Sequence, residues 1–158
     1  MEFLTGKTEK DTLEISDILA GEYEGKEIRI SGAIHKIRDM GDVAFVVLRK
    51  REGLVQTVYE EGVTAIDLKE LNEEDTITCS GIVKAEERAP QGFEIRLREV
   101  TILSKPTEPM PIAVNKWKMN TSLETKLDLR PLSLRNVKER AKFRIQEGIV
   151  RGFRDFLH

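Results

Sequence analysis

Between Gly32 and Gln56 the chain carries three kinds of side chain from which a nucleobase site can be built. Lys36 and Arg38 supply positive charge that pairs with phosphate. Phe45 supplies a flat ring on which any base can stack. Gln56 supplies an amide that offers a donor and an acceptor to one base edge. Taken singly, each has a plainer reading. Phe45 sits in the apolar run Val43 to Leu48, where a ring is ordinarily core, and Gln56 alone is a solvated strand residue. Catalytic chemistry has less to stand on: there is no Gly-rich phosphate loop and no carboxylate cluster suited to acid–base or metal work. Cys79 is the only cysteine and His35 and His158 the only histidines, so neither a disulfide nor a structural metal site is expected. His35 reads as a surface or rim residue, and Cys79, within a β-branched strand, as a small buried hydrophobe.

The elements that must position these residues are mostly strands. Ile28, Ile30 and Ile34 alternate with polar or small residues, the period of a half-buried strand. Ile37 falls out of that phase and predicts a bulge after Ile34. A turn at 39–42, the run Val43 to Leu48, a turn at 49–53 and the segment Leu54 to Tyr59 give two further strands. Ala65 to Leu71 has helical spacing, and Thr76 to Val83 is a β-branched fourth strand. Phe93, Ile95 and Leu97 open a fifth, in which the apolar phase switches to Val100 and Ile102, a second bulge signal. A further short helix is expected within Leu13 to Leu19, and the first dozen residues, polar and charged, are expected to be poorly ordered unless docked. Five strands with a short helix between the third and fourth is the order of an OB-fold, a small Greek-key barrel that binds oligonucleotides on one face.

Composition constrains any partner. Of 158 residues 39% are hydrophobic and 34% charged, with a formal net charge of −2, so bulk positive charge cannot drive binding to nucleic acid. Specificity would have to come from a few placed side chains. No run approaches the roughly 20 apolar residues of a membrane span, and the start of the chain lacks the basic and apolar pattern of a signal peptide. A cytoplasmic protein with no membrane or DNA partner is expected.

Past the barrel, Ser104 to Pro111 hold three of the five prolines and read as an extended linker. Asn136 then starts a helix, with Glu139 placed to complete a capping box. Ala141, Ile145, Ile149 and Phe153 form an apolar stripe along it. Gly148 and Gly152, each unfavourable in a helix by about 1 kcal/mol, share its face and suggest close approach of another element. Trp117, beside Lys116 and Lys118, is expected to be a packing anchor.

The strand ending in Arg38, the Gly-containing turn, Phe-x-x-Leu-Arg from Phe45 and Gly-x-x-Gln ending at Gln56 resemble the anticodon-binding domain of aspartyl-tRNA synthetases. They are similar, less closely, to the asparaginyl and lysyl enzymes of the same subclass. The resemblance implies that Phe45 stacks on the central anticodon base, a uridine, and that Gln56 hydrogen-bonds it. It also implies that Arg38 contacts the anticodon backbone or a neighbouring base and that Glu94 lies near the anticodon, although Glu94 equally suits cross-strand ion pairs. The segment from Lys126 through Asn136, followed by Ala141-Lys-Phe-Arg-Ile-Gln, resembles the approach to class II motif 1 and its dimer-interface helix. It departs from the usual pattern at Lys126 and Ser133. The implied organisation is an OB-fold domain over 1–105, a linker over 106–135 and the start of a catalytic domain over 136–158. Ile145, Gly148, Ile149 and Gly152 would then lie at the homodimer interface of the longer enzyme. That enzyme would use ATP and Mg²⁺ and charge tRNA-Asp, with tRNA-Asn left open, whereas this chain would bind without a cofactor and without catalysing. Two alternatives stand beside this reading: the anticodon domain of an asparaginyl-tRNA synthetase, and a non-enzymatic OB-fold module for single-stranded nucleic acid.

Overall fold

The computed structural model describes residues 12–158, which divide between Thr107 and Glu108 into two compact units. The expectation of poor order in the first dozen residues falls, up to Asp11, outside the described residues. The first unit is a closed barrel. Helix α1 (Ile15–Ala20) precedes β1 (Glu27–Asp39), β2 (Val43–Arg49), β3 (Leu54–Glu60), β4 (Thr76–Ala85) and β5 (Phe93–Ser104). The strands are ordered β1-β2-β3-β5-β4, with β4 pairing back to β1. All pairs are antiparallel except β3 with β5. This is the five-stranded OB architecture that the strand order implies.

Alternation decides which face each residue occupies. Ile28, Ile30 and Ile34 of β1, Ala44, Val46 and Leu48 of β2, and Val55 and Tyr59 of β3 point inward. They meet Ile77, Cys79 and Val83 of β4 and Phe93, Ile95 and Leu97 of β5 in one core. Ile15 and Ile18 of α1 join the same cluster, so this six-residue helix, too short to hold alone, is kept by burial. Two contacts reinforce it: the Ser16 amide and hydroxyl donate to Glu52 at 2.7 and 2.9 Å. Cys79 is buried as expected, and burial pushes its thiol up to about 12.

The two bulges expected from the sequence fall where the apolar phase breaks, and a third irregularity, between Thr76 and Ile77, lies at the start of β4. Ile34 pairs with Leu48 and Lys36 with Val47, which leaves His35 as the extra residue. Ser80 pairs with Glu99 and Gly81 with Leu97, leaving Arg98 over, and its carbonyl instead accepts from the Ala65 amide at 2.8 Å. Gly81 allows this second bend. A Cβ there would run into the Arg96 carbonyl oxygen and lie 2.8 Å from Ile95 Cγ2. The helix expected over 65–71 is only a 3-10 turn, Leu68–Glu70. The Tyr59 hydroxyl organises its approach, donating to the Ile66 carbonyl and accepting from the Leu68 amide.

The second unit is small and helical. No regular element occupies 105–122, but α2 (Leu123–Asp128) and α3 (Arg130–Ser133) lie within the segment read as linker. Ser122 caps α2, and a cluster of Ile112, Val114 and Met119, with Met110, Leu129 and Leu132 against it, gives the segment a core of its own. Helix α4 (Val137–Leu157) begins at Asn136 as expected, its Oδ1 accepting from the Lys138 and Glu139 amides. The Glu139 carboxylate does not return to the cap. It binds Lys126 at 2.9 Å and Lys142 at 2.7 Å, because two ammonium groups attract it more strongly than one amide. Trp117 is no packing anchor: it is 77% exposed, with Lys138 Nζ 5.5 Å from its ring centre. Among the described residues no helix is long and apolar enough to cross a membrane.

Candidate nucleic-acid interface

The same alternation that fills the core turns Lys36 and Arg38, Phe45 and Val47, Gln56 and Val58, and Glu94 and Arg96 to the outer face of β1, β2, β3 and β5. Register then makes them neighbours. Arg38 stands opposite Phe45, Phe45 opposite Val58, and Gln56 is flanked by Val47 on one side and Glu94 on the other. The four residues singled out from the sequence for nucleobase recognition, Arg38, Phe45, Gln56 and Glu94, therefore form one continuous patch.

Their polar atoms are linked in series. Arg38 Nη2 donates to Gln56 Oε1 at 3.2 Å, and Gln56 Nε2 donates to Glu94 Oε2 at 3.3 Å. The Arg38 guanidinium also lies over the Phe45 ring, 5.3 Å from its centre, a cation–π distance. Gln56 and Glu94 are buried at 8% and 7% exposure, while Phe45 is half-buried and Arg38 exposed. The patch thus has a buried polar floor, a ring partly open to solvent and an exposed cation at its rim.

Arg96 extends the series and was not singled out from the sequence. Its guanidinium reaches Glu94 at 4.0 Å and Glu60 at 3.5 Å. The alternation in Phe-Glu-Ile-Arg-Leu carries the signal, since Arg96 shares a face with Glu94. Arg49 has a different fate. It forms a two-pronged ion pair with Glu74, both contacts at 2.7 Å, with the two side chains only 8% and 5% exposed. Arg49 thus shares the outer face of β2 with Phe45 and Val47, but its guanidinium is covered and engaged by Glu74. His35 is also no surface residue: it is 8% exposed, and its Nδ1 lies 3.3 Å from Arg49 Nη1. The bulge leaves it as the unpaired extra residue of β1, where Arg49 covers it. Lys50, in the turn that follows β2, is buried with Nζ donating to the Ser31 carbonyl at 2.9 Å.

The residues expected at a dimer interface lie in the other unit. Ile145 and Ile149 are 64% and 67% exposed on α4. Among the described residues, and apart from the backbone of α4 itself, nothing stands within 4 Å of where a Cβ on Gly148 or Gly152 would be. Neither glycine is therefore required by packing among the described residues.

An outward patch of ring, amide and guanidinium on a five-stranded closed barrel is the arrangement of oligonucleotide-binding OB domains. Residues 28–103 match the tRNA anticodon family model, described as an OB-fold nucleic acid binding domain. Over its wider length it is similar to aspartate–tRNA(Asp/Asn) ligases. It is 38% identical to that of Sulfurisphaera tokodaii over 138 residues, covering 87% of this chain and 32% of the relative. It is 36% identical to that of Deinococcus radiodurans, covering 86% and 30%. Among solved structures, the asparaginyl-tRNA synthetase of Pyrococcus horikoshii with asparaginyl-adenylate superimposes with a TM-score of 0.72 at 29% identity, over 85% of this chain and 31% of that one. The aspartyl-tRNA synthetase of Entamoeba histolytica gives 0.75 at 25% identity, over 92% and 37%. The chain spans about a third of the length of the relatives it matches.

Proposed function

We propose that the outer face of β1, β2, β3 and β5 binds the anticodon loop of an aspartate tRNA, as part of an aspartate–tRNA ligase. The observation that carries this is the series Arg38–Gln56–Glu94 with Phe45 beside it, a buried base-reading amide next to a half-open ring. The central anticodon uridine stacks on Phe45 and forms its base-edge hydrogen bond with the Gln56 amide. Arg38 is the residue that must move. Its guanidinium now occupies the ring and one amide lone pair, the two contacts that a base would take, and on binding it turns to a phosphate or a neighbouring base.

Charge on the face favours base reading over backbone tracking. Glu60 and Glu94 lie among the cations, so a phosphate chain run straight across the patch would meet carboxylates. A module that holds single strands without sequence choice needs a continuous basic groove, which a chain of net charge −2 with these acids in place does not offer. The asparaginyl reading is the nearer rival, since asparaginyl-tRNA synthetases are among the similar solved structures. The relatives' names cover both tRNAs, and asparagine tRNA is accordingly a second candidate ligand.

In the longer enzyme, ATP- and Mg²⁺-dependent ligation would take place outside this chain, in the cytoplasm. There α4 would lay the stripe of Ile145, Gly148, Ile149 and Gly152 against the second copy of a homodimer.

Titration of the isotope-labelled chain with an aspartate-tRNA anticodon stem-loop tests the placement of the site. Amide shifts should concentrate at Lys36–Arg38, Phe45–Val47, Gln56–Val58 and Glu94–Arg96. Shifts centred instead on residues 108–158 would overturn the assignment.

A further inference from the structure

We propose that Glu94 is a positioning residue that fixes the orientation of the Gln56 amide, and so determines that this site reads a base with a ring N–H rather than a bare ring nitrogen. This rests on the reading of the face as an anticodon site. An amide has two orientations of nearly equal shape that differ by exchange of oxygen and nitrogen, and its neighbours decide between them. Here both neighbours are one-sided. A guanidinium only donates and a carboxylate accepts, so Oε1 must face Arg38 and Nε2 must face Glu94. The reversed amide would set donor against donor on one side and oxygen against oxygen on the other.

The two neighbours differ in permanence. Arg38 is exposed at the rim and vacates Gln56 when a base enters. Glu94 is 7% exposed, sits on the adjacent parallel strand directly opposite Gln56, and is held from its far side by Arg96. Once a base is bound, Glu94 is the partner that keeps Nε2 engaged. Oε1 is then left as the acceptor freed by Arg38, at the edge beside Phe45. Uracil presents N3–H to such an acceptor, whereas cytosine presents a lone pair at N3 and meets oxygen with repulsion. The stacking ring tolerates both bases, so the discrimination resides in the amide's orientation.

Glu94→Gln preserves size but replaces a one-sided acceptor with a group that can also donate, so Gln56 can reverse. Binding of the chain to anticodon stem-loops carrying uridine or cytidine at the central position should show wild type favouring uridine. The U-to-C affinity ratio should fall by about tenfold in Glu94→Gln, the scale of one well-formed pair of hydrogen bonds to a base edge. Glu94→Asp, still acceptor-only, should retain more of the ratio. In the free chain, the Gln56 side-chain amide should be rigid by nitrogen relaxation in wild type and mobile in Glu94→Gln. A variant that binds both loops more weakly with the ratio intact would overturn the proposal, since that is the mark of a general contact. A change of preference only at the base next to the centre would overturn it too, by making Glu94 a direct reader of that base. A wild-type chain blind to the central base would instead overturn the anticodon reading, and the specificity role would fall with it.

Discussion

Arg49 and Glu74 are 25 positions apart in the chain, yet each oxygen of the Glu74 carboxylate accepts a guanidinium N–H of Arg49 at 2.7 Å, almost out of contact with solvent. Glu74 carries out this role from a left-handed backbone conformation, φ 73°, which is costly for a residue other than glycine. Backbone bonds on either side hold it there: the Glu74 amide donates to Ile34 at 2.7 Å and the Ile34 amide donates to Asp75 at 2.8 Å. The pair thus ties the end of β2 to the entrance of β4, beside the bulge that aims Lys36 and Arg38 outward.

Removing one member leaves the other charged and buried. Arg49→Ala is expected to cost about 3 kcal/mol of stability or more. Glu74→Gly should cost less than Glu74→Ala, because glycine releases the backbone strain that alanine retains. Urea unfolding of the three variants checks the order. Equal losses for the two Glu74 variants would show that the conformation at this position carries no strain.

Acid should weaken the same region through His35. Burial, reinforced by the Arg49 charge and Lys36 and opposed by Glu74, holds its imidazole below the ordinary value of 6.5. Its Nδ1 faces an N–H of Arg49, which requires a neutral ring accepting at that atom. The unfolded chain takes up this proton near pH 6.5, while the folded chain does not until a lower pH. Between those values the unfolded state binds more protons, so stability rises with pH and is lost as pH falls below about 6.5. Urea midpoints at pH 7.5 and 5.5 should therefore separate in wild type and draw together in His35→Gln. An unchanged separation in the variant would mean that other groups carry the acid sensitivity.

In the helical unit, Asn136 does two jobs with one amide. Its Oδ1 caps α4, and its Nδ2 donates to the carbonyls of Val114 and Lys116 at 2.9 and 2.7 Å. Asn136→Ala should cost about 2 kcal/mol, more than loss of a simple cap, because a buried carbonyl also loses its donor. Asn136→Asp should keep the cap but lose the brace, and so fall between. Thermal unfolding followed by helical circular dichroism reads both. An alanine variant as stable as the aspartate variant would contradict the double role.

These supports explain which features could be read from the sequence. Strand faces and two of the three register shifts were legible because phase is local: Ile37 out of step with Ile34, and Val100 out of step with Leu97, each mark one inserted residue. Arg38, Phe45, Gln56 and Glu94 were legible as a set only through their resemblance to a known pattern, since singly each is an ordinary strand residue. The Arg49–Glu74 brace was not legible, because barrel closure through β1 and β4 is what brings the two together. Helices α2 and α3 were hidden by their shortness and by Pro131, which sits at the start of α3 where a missing N–H costs nothing. The burial of His35 beside Arg49 needed the register itself, which periodicity locates only to within a residue.

The central claim is that Phe45 and Gln56 read the central anticodon base, and one affinity comparison tests it directly. At a single fixed salt concentration, the chain is titrated with an aspartate-tRNA anticodon stem-loop and with the same loop lacking the central uridine. Wild type should prefer the uridine loop by about tenfold or more. Phe45→Ala should weaken binding by about tenfold through lost stacking, and Gln56→Ala should abolish the preference. Equal, weak and steeply salt-dependent binding of both loops, unchanged in either variant, would contradict the account and leave only attraction between phosphates and surface cations.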